Sequence, residues 1–112
     1  TAKFPQQNPQ GREQEGYRPA IVVGFPSRLG IPRFELIVVI PLTTDKNQDW
    51  VNASPDLYPR FSAGTAGLKS PSIALLDQIR VLDVNRIVAY RGSLSPQQYE
   101  PILLGLRVMI GP

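Results

Sequence analysis

Apolar positions along the chain fall in short runs, each stopped by proline, glycine or a polar cluster. "AIVVG" (20–24) is a continuous apolar run ended by Gly24, the pattern of a buried strand. "FELIVVI" (34–40) predicts a second, longer strand stopped by Pro41, with "FPSRLGIPR" (25–33) as the loop between them. "PLTTDKNQDW" (41–50) then reads as a polar turn. "LYPRFSAG" (57–64) holds a short strand that Pro59 demotes to a sheet edge. "SIALLDQIRVLD" (72–83) begins apolar, turns polar at Asp77-Gln78 and then alternates. Ile79, Val81 and Val84 are expected on one face, Gln78 and Arg80 on the other. "RIVAYRGSL" (86–94) predicts a further strand ending at Gly92.

Only the C-terminal segment carries a helical period. In "SLSPQQYEPILLGLRVMIG", Ser95 is placed as N-cap, Pro96 as the first helical residue and Gln98 three places after the cap, a capping-box pattern. Ile102, Leu103, Leu106, Met109 and Ile110 follow as an apolar stripe. Pro101 leaves two possibilities: a bend there, or a regular helix that starts at Glu100 with Pro101 in its first turn. Leu104 and Val108 lie off the stripe and suit contact with a second subunit, although single exposed apolar residues are also common. The elements add up to one mainly antiparallel β domain (α+β), a small barrel closed by a C-terminal helix.

Composition narrows the chemistry. The chain has 112 residues, enough for one modest core, and no apolar run of the length that crosses a membrane. The segment 1–16 has no apolar stretch of the kind a secretory signal needs. There is no Cys and no His, which excludes disulfides, thiol nucleophiles, imidazole acid–base chemistry and the usual zinc ligands. Any catalysis must use Arg, Lys, Asp, Glu, Thr, Ser or Tyr. Of the 12 basic residues, nine are Arg, and the net charge is +3. That leans toward polyanionic partners, because Arg grips phosphate with two donors, but ordinary solubility explains a small positive charge equally well. Arg18 draws notice: it stands before Pro19, which holds it extended at the mouth of a strand. There it is either an idle surface cation or a fixed positive charge aimed at a substrate.

Several segments in order resemble the MazF/PemK family of toxin endoribonucleases: Glu13-Gln14-Glu15-Gly16-Tyr17-Arg18-Pro19-Ala20-Ile21-Val22-Val23, then Pro41-Leu42-Thr43-Thr44, then Leu75 to Asp83, then Gly92-Ser93-Leu94-Ser95-Pro96 with its helix. Each piece is weak alone; four in order over nearly the whole chain are specific. The family opens with a strand of which only "TAKFP" remains here, so residues 1–112 are expected to form a single domain whose first strand is truncated. The resemblance implies an SH3-like antiparallel barrel with a C-terminal helix, usually a homodimer, in the cytoplasm. It implies a toxin that cleaves single-stranded RNA, mRNA included, at short sequences, without metal or other cofactor, and a cognate antitoxin that covers the active groove. A non-catalytic module on the same fold, acting on a protein such as gyrase, is the alternative, since fold does not fix function.

Metal-free RNA cleavage uses the 2′-OH as internal nucleophile. The site must stabilise charge on the phosphoryl oxygens, remove the 2′ proton and protonate the leaving oxygen. The resemblance puts Arg18 and Thr43 in the catalytic set, Arg18 as charge stabiliser because a guanidinium is a poor acid at neutral pH, and Thr43 as hydroxyl donor. Glu13 is placed as general base or its orienter, with Glu15 as an alternative. RNA contacts are expected from Gln14, Tyr17, Thr44, Asp77, Gln78 and Arg80. Tyr17, standing where some relatives carry His, suits stacking on a base. Asp77-Gln78 equally closes a turn, and Arg80 equally pairs with Asp83. Gln6, Gln7, Asn8, Gln10 and Gln14 supply amides that read base edges, or a plain loop.

Overall fold

The short strands curl into an antiparallel sheet, an open barrel, with the C-terminal helix across one face. The computed structural model describes residues 1–5 and 16–111. Strand β1 (Ala2–Phe4) pairs with β2 (Gly16–Arg18), and after Pro19 the chain continues as β3 (Ala20–Gly24). Central β4 (Leu36–Thr44) pairs with β3 on one side. On its other side it pairs with β6 (Ser72–Ala74) and with β7 (Arg80–Asp83). β5 (Arg60–Phe61) is the short edge strand beyond β6 that Pro59 led one to expect.

Pro41 does not stop β4, and the reason lies across the sheet. Continuing the pairing of Leu42 with Ala74 brings Pro41 opposite Leu75, whose N–H donates to the Pro41 carbonyl at 3.0 Å. An ordinary residue at 41 would return a bond to the Leu75 carbonyl. Proline has no N–H to give. That carbonyl instead accepts from the Gln78 N–H at 3.0 Å, which closes the 3-10 turn Leu76–Gln78. The turn shifts the register from β6 to β7 and pushes Asp77 and Gln78 out of the sheet. The switch from apolar to polar at these two residues was legible in the sequence; its cause at Pro41 was not.

Other segments depart from expectation. The polar stretch 41–50 contains the last residues of β4 and the start of α1 (Asp49–Ala53), a short helix held by the fully buried Val51. The run 86–94 forms no regular strand. It follows the 3-10 turn Val84–Arg86, and Ile87 bridges Ala2 while the Val88 N–H donates to the Thr1 carbonyl at 3.0 Å. On β7 it is Leu82 that is buried and Val81 that is exposed, because β1 covers the face that Leu82 shares with Ile37 and Val39.

Helix α2 (Pro96–Ile110) has the predicted cap: Ser95 accepts from the Gln98 N–H, and the Gln98 side chain accepts from the Ser95 N–H at 2.8 Å. It runs unbroken through Pro101, so it does not begin at Glu100. Ile102 is fully buried with Ile40, Leu42, Phe61 and Leu76, and Tyr99 and Leu106 pack beside it. Leu103, Met109 and Ile110 of the expected stripe remain substantially exposed. Gly105 lets the helix lie close on the 3-10 turn, since a Cβ there would come within 2.5 Å of Leu76 Cδ1. The sheet therefore has a helix-covered face and an opposite face, and the polar residues gather on the latter.

Candidate functional site

The β3–β4 register carries Arg18 to Thr43. Ala20 pairs with Pro41, and the Leu42 N–H donates to the Pro19 carbonyl at 2.9 Å. Extending that register by one residue directs Arg18 toward Thr43, and β2 lies against β4. A continued ladder would make 18/43 a non-hydrogen-bonded pair, the kind whose side chains approach on one face. Arg18 and Thr43 are both half-buried. Arg18 is also opposite Ala2, a buried member of the cluster with Phe4, Ile37, Val39 and Leu82.

The row continues across the sheet. Thr43 pairs with Ile73 and Ile73 pairs with Arg60, so Arg18, Thr43, Ile73 and Arg60 share one face. Three strand spacings put the Arg18 and Arg60 backbones about 14 Å apart. Arg60 is held by Asp45, Nε to Oδ2 at 3.1 Å, and it donates to Asn52 and to Asn47. A partly exposed ion pair of this kind orients the guanidinium more than it stabilises the fold.

Arg80, opposite Val39, shares the same face. Its guanidinium lies over the Phe4 ring, 5.6 Å from the centroid, while Asp83 caps the following turn by accepting from the Asn85 N–H at 2.8 Å. Asp77 reaches this face through Tyr58, whose hydroxyl donates to Asp77 Oδ2 at 2.7 Å. That bond, with burial and the carboxylate charge behind it, pushes the Tyr58 hydroxyl up to about 12. Tyr58 packs on Val51, Ile73 and Leu75, and its ring meets Trp50 edge to face at 4.9 Å. Gln78 follows Asp77 in the same turn.

Arg18, Thr43 and Arg80 therefore share one face of the sheet, and Asp77 is tied to that face through Tyr58. Tyr17 is not: it is paired with Lys3 on the other face of the β1–β2 ribbon, 66% exposed, with the Lys3 ammonium 5.7 Å from its ring centroid. Thr44 likewise turns to the face opposite Thr43, exposed at the strand end. Glu13, Gln14, Glu15 and the amides of 6–10 lie outside the described residues. Arg60, Tyr58 and Trp50 escaped the sequence reading. Arg60 enters the row only through Ile73, and no local pattern announces such a long-range pairing.

Two apolar hollows lie elsewhere. One of 680 Å³ sits between β3, residues 89–96 and the start of α2; one of 790 Å³ separates α2 from residues 55–60. Neither includes Arg18 or Thr43. What the row offers is an open, cationic shelf with hydroxyl and carboxylate groups beside it, suited to an extended anionic chain rather than a small enclosed molecule.

A family model described as PemK-like, MazF-like toxin of type II toxin–antitoxin system matches residues 1–110. No curated protein matches.

Proposed function

The chain belongs to the PemK-like, MazF-like toxin family of type II toxin–antitoxin systems, and from that premise we propose that it is a metal-independent, sequence-specific endoribonuclease acting on single-stranded RNA, mRNA included. The observation that carries this reading is the β3–β4 register, which directs Arg18 toward Thr43. A phosphodiester lying between them meets a cation and a hydroxyl preorganised on strands. The 2′-oxygen attacks the adjacent phosphorus, the P–O5′ bond breaks, and the products carry a 2′,3′-cyclic phosphate and a 5′-hydroxyl. Arg18 stabilises the extra charge on the phosphoryl oxygens, and Thr43 donates to one of them. Glu13 takes the 2′ proton in this reading, and water protonates the leaving 5′-oxygen. Arg80, Asp77 and Gln78 flank the shelf as RNA contacts; Tyr17 and Thr44 act on the RNA beyond it, and Gln14 is a further RNA contact in this reading.

The partners that go with this reading are a cognate antitoxin, which covers the shelf, and a second copy of the chain in a homodimer. The exposed Leu104 and Val108 on α2 support the homodimer. The site of action is the cytoplasm; no helix among the described residues is long and apolar enough to cross a membrane.

The test is cleavage of a mixed single-stranded RNA in EDTA. Fragments ending in 2′,3′-cyclic phosphate, lost in Arg18→Ala, are the expected result. Intact RNA under every condition tried would remove the nuclease and favour a toxin that binds a protein target such as gyrase.

A further inference from the structure

We propose that Trp50 and Tyr58 form a stacking subsite for one nucleobase of the RNA strand, beside the phosphate position at Arg18 and Thr43. The proposal rests on the endoribonuclease reading and adds to it a contact to a base. Trp50 follows directly on the α1 N-terminus, is 44% exposed, and is followed by Val51, which is fully buried against Ile73 and Leu75. The helix is thereby pinned to the sheet one strand away from Thr43, the partner of Ile73.

The rings are already ordered before any ligand arrives. Their planes meet at 80°, and the Tyr58 hydroxyl is anchored on Asp77. A base stacking on Trp50 therefore costs little side-chain freedom. The surroundings select the kind of ligand. Asp77 is bonded to Tyr58, and Arg60, paired across the sheet with the Ile73 on which Tyr58 packs, gathers Asp45, Asn47 and Asn52 about its guanidinium. The core of a protein–protein interface is depleted of charge, whereas an aromatic platform beside a fixed guanidinium is how single-stranded nucleic acid is held. Arg60 lies further along the same cross-strand row as Thr43.

Trp50 is the one tryptophan of the chain, which makes the test direct. The protein is titrated with an end-labelled, mixed-sequence single-stranded RNA carrying 2′-O-methyl groups throughout, so that it binds without being cut. Label anisotropy reports binding, and tryptophan emission reports stacking. Quenching with the same midpoint as the anisotropy change is expected. Trp50→Ala should weaken binding about tenfold and Trp50→Phe should recover most of it. Binding by anisotropy with unchanged emission, or a Trp50→Ala protein that binds like the wild type, overturns the subsite and leaves the nuclease reading standing. No binding by the wild type, together with no cleavage of unmodified RNA, removes both.

Discussion

Replacing Arg18 by Ala is the sharpest perturbation of the proposed chemistry. The residue is half-buried at the end of β2 and belongs to no buried apolar cluster, so the fold should survive. A phosphoryl oxygen gripped by the guanidinium would lie about 3–4 Å from it. A unit charge pair at about 4 Å in a surface groove is worth at most ~4 kcal/mol. Mutational losses of one oriented donor give ~10²–10³ in rate. Thr43→Val removes a neutral donor to an anion, a loss of roughly 10–100-fold. If both groups grip one phosphate, the losses must not multiply: the double variant should fall short of the product by about tenfold or more. Arg18→Lys keeps charge but not the forked geometry and should land between wild type and Ala. The assay is single-turnover cleavage of a labelled RNA at saturating protein, with thermal melts of each variant as control. An Arg18→Ala protein that cleaves within about threefold of wild type, or a double variant showing the full product of two losses, would refute a shared phosphate site.

Three further outcomes follow from the geometry. Tyr58 holds its proton more tightly when folded, about 12 against 10 in the unfolded chain, so its bond to Asp77 stabilises the fold fully below pH 10 and the contribution is lost as pH rises from 10 to about 12. Urea midpoints should drop across that window in the wild type and drop less in Tyr58→Phe; equal slopes would sink the assignment. Ile102→Ala empties a fully buried position where α2 meets the sheet and should cost about 2–5 kcal/mol, read from urea unfolding. Ser95→Ala removes one arm of the capping box and should cost about 0.5–2 kcal/mol by the same measurement; no change would mean that the cap bond is replaced by water.

The local elements were set by the order of residues alone. Gly24 and the apolar run before it define β3, and Ser95, Pro96 and Gln98 define where α2 begins, because caps and short apolar runs act over a few residues. The polar break at Asp77-Gln78 and the extended Arg18 before Pro19 belong to the same class. Tertiary structure decided everything that depends on which strand lies beside which. Pro41 continues β4 because its missing N–H meets a carbonyl already taken by Gln78, and Val81 is exposed because β1 covers the other face of β7. Arg18, Thr43 and Arg60 share a row only through successive cross-strand pairs, while Tyr17 and Thr44, next to the first two in sequence, turn away. Alternation along a strand tells which residues share a side. Only the register between strands, fixed by backbone bonds far apart in sequence, tells which sides meet.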